Sequence, residues 1–170
     1  MPASIRPEQP SDFDEIRRLL QAAFEPSTVE APLVDALREE GAEVPELCLV
    51  AHEGDALAGH IFYSRARLDS GQEVLALAPM AVAPARQRTG IGSRLIEESL
   101  ARAAKTECPL IVVVGHADYY PRFGFRPARE YGLEAPWELP PEAWMALPLA
   151  AYERSARGRV NYPAAFDEAG

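Results

Sequence analysis

Basic charge is what this sequence most lacks. Its 17 Lys and Arg residues are outnumbered by 26 Asp and Glu, which leaves a formal net charge of -9. A protein that grips nucleic acid by neutralising phosphates needs the opposite balance, so that class is set aside. An acidic surface suits cationic substrates, and it serves solubility equally well. Cysteine is scarce too. Cys48 and Cys108 stand alone, and their spacing builds neither a disulfide framework nor a metal site. They are expected as buried or part-buried thiols, since no His/Asp partner pattern supports a cysteine nucleophile. No segment approaches the ~18 uninterrupted apolar residues of a membrane helix. The opening MPASIRPEQPSDFDE lacks the apolar core of a secretory signal. A cytoplasmic protein with reduced thiols is the expectation. Internal repeats, low-complexity tracts and a second domain boundary are missing as well. With 48% apolar and 25% charged residues, residues 1–170 read as one folded domain with a full core.

What is present centres on Glu73 to Lys105, EVLALAPMAVAPARQRTGIGSRLIEESLARAAK. Val74 to Val82 is an apolar run of strand length, broken only by Pro79. Ala83 to Gly92 reads as a loop. From Ile91 to Lys105, Ile91, Leu95, Ile96 and Leu100 recur at helical spacing with charges on the other face. Strand, glycine-containing turn and helix N-terminus together make an anion site. The first amides of a helix have no internal partner, and the helix dipole adds partial positive charge there. Glycine lets the backbone approach a phosphate closely. The pattern is Gln87-x-x-Gly90-x-Gly92. It is not a Walker A loop, because no Gly-Lys-Ser/Thr follows, nor the G-x-G-x-x-G of a dinucleotide fold. A nucleotide-dependent kinase is therefore poorly supported.

Taken in order, Ser4 to Arg6 is a short edge strand. Ser11 looks like the N-cap of a helix with Asp12 and Asp14 in its first turn, carrying Phe13, Ile16, Leu19, Leu20 and Ala23 to Phe24. Pro26 closes it. A second helix starts near Thr28, turns Val29, Leu33, Val34 and Leu37 inward, and ends before Gly41. Leu47 to Ala51 and Ala56 to Leu68 form a hairpin about Gly54-Asp55, and Asp69-Ser70-Gly71 turns into the strand at Val74. That gives an antiparallel meander. Pro109 to Gly115 (PLIVVVG) reads as a central strand parallel to Val74–Val82, closing a βαβ unit. His116 to Phe125 is a short helix or turn ended by Gly124. Phe125 to Pro127 begins a strand, Glu134 to Pro141 is loop, and Met145 to Leu149 is strand-like. Val160 and Phe166 can anchor the tail.

The loop Gln87-x-x-Gly90-x-Gly92, preceded by Pro79-Met80-Ala81-Val82, resembles the acyl-CoA loop of the GNAT superfamily, the Gcn5-related N-acetyltransferases. Tyr120-Pro121-Arg122-Phe123-Gly124-Phe125 is similar to a second motif of the same family, Tyr-x-x-x-Gly-Phe after the second parallel strand. Both fall in the family's order and on its elements. The wider runs GHADYYPRFGF, EAWMALPL and GRVNYPAAF resemble the YhbS-like subgroup of predicted N-acetyltransferases. The resemblance spans roughly the whole chain, and its specific part is Leu75 to Phe125.

It implies an α/β (α+β mixed) GNAT fold. The central sheet would be mixed and mostly antiparallel, with 6–7 strands, flanking helices and one parallel pair that splays apart. The implied reaction is direct transfer of an acetyl group from acetyl-CoA, the co-substrate, to a primary amine of a small molecule or peptide. Backbone amides from Arg88 through Thr89, Gly90, Ile91 and Gly92 to Ser93 would hold the pyrophosphate, helped by the Gln87 and Arg88 side chains. Met80, Ala81 and Val82 would pair with the pantetheine arm and offer an amide to the thioester oxygen. Tyr120 stands at the family's general-acid position and would protonate the leaving thiolate. Tyr119 is a weaker candidate, because neighbouring helical residues do not share a face. His60, Glu73, His116, Glu25 and Glu30 are of a type able to deprotonate the amine, as is a water chain, and none is singled out. Arg122 either touches phosphates or is solvated. No metal, membrane or nucleic acid is implied, and a homodimer is compatible. The alternative is a catalytically silent acyl-CoA-binding module acting as sensor or partner subunit.

Overall fold

The computed structural model describes residues 3–169. Strand β1 (Ser4–Pro7) lies at the edge of the sheet, antiparallel to β2 (Leu49–Glu53). Between them run helices α1 (Phe13–Phe24) and α2 (Glu30–Glu39). Strands β2, β3 (Ala56–Leu68) and β4 (Glu73–Val82) form the expected antiparallel meander. Helix α3 (Ile91–Ala103) then leads into β5 (Leu110–Val114), which pairs parallel to β4. The remainder supplies β6 (Arg126–Pro127), β7 (Leu133–Glu134), β8 (Trp144–Pro148), β9 (Gly158–Asn161) and α4 (Ala165–Ala169). The sheet runs β1-β2-β3-β4-β5-β8-β6, and β9 pairs with both β3 and β7. Nine strands therefore stand where six or seven were expected. The additional pieces, β7 and β9, are too short to carry a readable period. Among the described residues, no helix is long and apolar enough to cross a membrane.

Local chemistry explains most boundaries. Gly41, at φ 72°, ends α2 as its C′ residue. The Ala42 amide returns to Leu37 O at 2.9 Å and the Gly41 amide to Arg38 O at 3.1 Å, the paired bonds of a Schellman stop. Two expectations need correction. Ser11 does not cap α1: it sits inside a 3-10 turn, Pro10–Asp12. Asp12 is taken instead by Arg6, at 2.8 and 2.9 Å, and by the Gln9 amide at 2.8 Å. Val29 does not face inward. It precedes the first residue of α2, off the buried stripe of Leu33, Val34 and Leu37, and is 40% exposed.

The sheet divides the core in two. On one face α3 packs through Leu95 and Ile96, both fully buried, against Leu49, Ile61, Leu75 and Leu77. Each such side chain contributes about 1.5–3 kcal/mol of burial. Gly59 permits this approach, because a Cβ there would lie 2.9 Å from both Ile91 Cγ2 and Leu95 Cδ1. On the other face α1, α2 and α4 cover Cys48, Val50, Phe62 and Ala81.

The feature that creates a site is a bulge in β4. Tyr63 pairs with Leu77, but Ile61 pairs with Met80, so three steps along β4 oppose two along β3. The extra residue falls at Ala78–Pro79, where proline has no amide for the ladder. It reverses the alternation of β4: Leu75 and Leu77 face α3, and after the bulge Met80 and Val82 do so. Pairing of β4 to β5 is confined to Leu75–Ile111 and Ala76–Val112. Beyond those positions the parallel strands separate.

Candidate active site

The anion-site geometry begins one residue past β4. A 3-10 turn, Pro84–Arg86, drops the chain out of the sheet, and Arg86 Nε lies 2.6 Å from Glu53 Oε1 on β2. Gln87 Nε2 donates to Val82 O at 3.3 Å. The backbone then enters the left-handed region twice, at Arg88 (φ 66°) and Gly90 (φ 91°). Arg88 is the one non-glycine with positive φ among the described residues, and such positions concentrate at functional turns. Gly90 is the N-cap of α3. Among the described residues, the amides from Gln87 to Ser93 donate to no acceptor. Free donors, a dipole end and an exposed turn make a seat for an anion.

Along β4, Ala83 N–H donates to Ala58 O at 2.8 Å. By the two-residue alternation of an antiparallel ladder, Ala81 also turns its polar groups to β3, while Met80 and Val82 turn theirs to the open edge. There they meet no strand, because β5 has already diverged.

A cleft of about 1260 Å³ opens at this divergence. It threads the sheet. On the α3 side it is bordered by Gln87, Arg88, Tyr119, Tyr120 and Arg122; on the α1/α2 side by Phe24, Val29, Glu30, Leu33 and Trp137. Tyr120 lies in the 3-10 turn Tyr120–Phe123, which Gly124 ends at φ 101°. Its ring sits edge-on to Tyr119 at 5.3 Å and to Phe125 at 5.6 Å, and the residue is 8% exposed. Burial, with a smaller push from Tyr119, raises its phenol to about 12. Near neutral pH it therefore holds its proton. The ring rests on Gly115: a Cβ there would come within 2.3 Å of Tyr120 Cε2.

Tyr119 was expected to point away, and it does not. It lines the same cleft, and its hydroxyl is 3.1 Å from where a Cβ on Gly92 would lie. The helical-face argument fails because Tyr119 precedes the 3-10 turn rather than sharing a helix with Tyr120. Gly92 thus serves Tyr119 packing as well as backbone access. Arg122 stacks its guanidinium 4.6 Å over the Tyr119 ring and so is held at the cleft rim.

Of the residues singled out in the sequence, Met80, Val82, Gln87, Arg88 and Tyr120 line the cleft. Ala81 packs its side chain into the opposite core, and Ile91 is buried under Gly59. Thr89, Gly90, Gly92 and Ser93 form the turn and the first residues of α3. The candidate bases separate cleanly. His60 is fully buried and bonded through Nε2 to Glu8 Oε1 at 2.8 Å, so it reaches no substrate. Glu73 opens β4 at the far end of the strand, beside Arg67. Glu25 does not line the cleft, whereas Glu30 and His116 do. Val114, Gly115 and Asp118 line the cleft without having been singled out in the sequence, while Trp137 and Leu139 come from Glu134 to Trp144, a segment expected to shape the acceptor side but with no readable specificity. Trp137 is a lone aromatic in a proline-rich loop with no period to reveal it.

Residues 45–127 match the acetyltransferase (GNAT) domain family. An uncharacterized N-acetyltransferase of Escherichia coli K12, YjhQ, is 38% identical over 159 residues, covering 89% of this chain and 87% of the relative. The YhbS protein of the same organism, likewise an uncharacterized N-acetyltransferase, is 31% identical over 86% of this chain and 87% of its own. A crystal structure of Escherichia coli YhbS in complex with CoA superposes with a TM-score of 0.89 at 30% identity, covering 98% of this chain and 93% of that one. A GNAT acetyltransferase from Brucella melitensis, crystallised with acetyl-CoA, gives 0.80 at 35% identity over 97% and 98%.

Proposed function

The chain belongs to the GNAT acetyltransferase family, and from that premise we propose that it transfers an acetyl group directly from acetyl-CoA to a primary amine. The observation that carries this reading is the opening of β4 from β5. It joins a seat of free amides on one side of the sheet to a cleft that passes Tyr120. Two relatives hold CoA or acetyl-CoA in crystals, and the residues present here fit the same group. The uncommitted amides from Gln87 to Ser93 suit a pyrophosphate, with Arg88 and Arg122 adding positive charge at the rim. The open edge of β4 at Met80 and Val82 suits a strand-like pantetheine arm, and its outward amide suits a developing oxyanion.

Acetyl-CoA supplies the acetyl group as a thioester. The bound ammonium first gives one proton to solvent, and the neutral amine nitrogen then forms a bond to the acetyl carbon as the carbon–sulfur bond breaks. The released thiolate takes the Tyr120 proton, the new amide nitrogen gives a second proton to solvent, and Tyr120 recovers its own from solvent. Tyr120 is suited to this step by its retained proton and its place in the cleft.

Thermal unfolding with and without acetyl-CoA tests the reading. A ligand at ~100 times its dissociation constant adds about 2.7 kcal/mol of stability, a shift of several degrees. No shift with millimolar acetyl-CoA would refute the assignment.

A further inference from the structure

We propose that the acceptor is a small monoamine carried on an aromatic-sized apolar body, with Trp137 and Val29 taking the body and Glu30 the positive charge. This rests on the acetyl-transfer reading above and names the second substrate of that site.

The first support is exposed apolar surface. Among the described residues, the large hydrophobic side chains left exposed are Val29 (40%) and Val114 (41%), and both line this cleft. Apolar area held open in a cleft is the mark of a site that an apolar ligand covers. The second support is the wall beside Val29, made by Phe24, Leu33, Trp137, Leu139 and Phe166. Its indole is fixed in advance. Trp137 lies 4.7 Å from the Tyr162 ring and 6.2 Å from Phe166, and Tyr162 meets Phe166 edge-on at 4.9 Å. A preordered aromatic face binds a flat ring with little loss of side-chain freedom.

The third support is how charge is distributed. The cleft's arginines, Arg88 and Arg122, belong to the α3 side. The cleft's carboxylates are Asp118, in the turn that leads into Tyr119 and Tyr120, and Glu30, which starts α2 beside the apolar wall. Ser27 Oγ donates to Glu30 Oε1 at 2.7 Å, and among the described residues Oε2 has no protein partner. One carboxylate beside an apolar wall recognises one ammonium. A polyamine or an aminoglycoside would press further charges or hydroxyls against side chains that cannot pair with them. The acidic net charge alone would have favoured such polycations. The local surface does not.

The experiment is CoA-release kinetics on the purified protein with tryptamine, 2-phenylethylamine, ethanolamine and spermidine, beside acetyl-CoA affinity from calorimetry. The expected result is a kcat/KM for tryptamine and 2-phenylethylamine about tenfold or more above that for spermidine and ethanolamine. Trp137→Leu and Glu30→Gln should each raise the KM for tryptamine about tenfold, with acetyl-CoA affinity unchanged and the fold retained. A role for Glu30 confined to helix α2 would lower Tm and leave that KM alone. Equal or better use of spermidine or ethanolamine would overturn the proposal. So would unchanged KM values in both variants. Acetyl-CoA binding without turnover of either aromatic amine would overturn the acceptor assignment alone. Absence of acetyl-CoA binding would remove the reading beneath it.

Discussion

Replacing Gly92 by glutamate separates the anion seat from the stability of the helix that forms it. Gly92 is the second residue of α3, is not among the positive-φ glycines, and lies two residues beyond the left-handed cap at Gly90. Helix formation itself gains from the change, by about 0.5–1 kcal/mol in propensity. A carboxylate in the first turn adds about 0.3–1 kcal/mol against the helix dipole. The opposing effect is local. The new Cβ would stand 3.1 Å from Tyr119 Oη, 3.5 Å from Val82 Cγ2 and 3.6 Å from Met80 Cε, so Tyr119 must move by a few tenths of an ångström. Folding stability should be unchanged or slightly raised. Binding should not survive as well. Two like charges ~4 Å apart repel by about 1 kcal/mol in bulk water and about 4 kcal/mol at a surface-like dielectric. At 1.4 kcal/mol per tenfold, acetyl-CoA affinity should fall by roughly fivefold to several hundredfold. Calorimetry in low salt and again near ~1 M salt, where the Debye length is about 3 Å, should show part of the loss recovered. Gly92→Ala, which adds the Cβ without the charge, should bind within a few-fold of the parent. An affinity for the glutamate variant equal to the parent's would refute the anion seat. A loss equal in the alanine variant would instead assign the whole effect to Tyr119.

Four further outcomes are expected. Tyr120→Phe should lower kcat by about 10²- to 10⁴-fold with acetyl-CoA affinity within twofold, measured by CoA release; an unchanged rate would remove the acid role from this residue. Gly115→Ala should mimic that loss without touching a reacting atom. Its Cβ would need the space 2.3 Å from Tyr120 Cε2, and retained activity would mean that the ring's placement is immaterial. Glu8→Gln should destabilise the fold by about 1–3 kcal/mol in urea titration, because Arg38, only 10% exposed, keeps Asp35 at 3.2 Å but loses its charged partner at 3.0 Å. The parent protein's stability should also decline as pH falls. Burial pushes His60 down by more than Glu8 pulls it up, and its Nδ1 is buried without a partner. The folded state therefore favours the neutral ring, and stability begins to be lost below the ordinary histidine value of about 6.5. For Glu8, burial acts upward but the bonds from His60 and Arg38 outweigh it, so its own contribution is lost only at more acid pH, below the usual carboxylate range. A flat profile from pH 7 to pH 5 would contradict the arrangement at His60.

Much of the fold was legible because its signals are local. The meander of β2, β3 and β4 is written in glycine turns at Gly54 and Gly71, both at positive φ, and α3 in the spacing of Ile91, Leu95 and Ile96. The turn from Gln87 to Ser93 was legible for the same reason: Gly90 occupies a left-handed cap between an apolar strand and a helical period. Pro79 was visible as an interruption. That it marks a bulge, which inverts the facing of Met80 and Val82 and opens β4 from β5, depends on the register against β3 and could not be read from β4 alone. The same limit explains the error over Tyr119, whose direction is set by contact with Gly92, far away in the chain.

The acceptor side marks the deeper boundary between what a chain states locally and what only its topology assembles. The loop that suits acetyl-CoA is continuous in sequence, because a phosphate can be held by successive amides of one turn. A side chain pocket has no such economy. Phe24 ends α1, Val29 stands at the N-cap of α2 and Glu30 begins it, Trp137 comes from a loop before β8, and Phe166 from α4. Each is unremarkable in its own segment: one aromatic, one exposed valine, one acid at a helix start. They become a surface because α1, α2 and α4 all pack on the same face of the sheet, over the place where the bulge has parted the strands. Such a wall can change its residues without disturbing the turn at Gln87–Ser93. On this architecture, then, the co-substrate seat and the acceptor wall are free to vary separately, and variants confined to one should leave the affinity of the other intact.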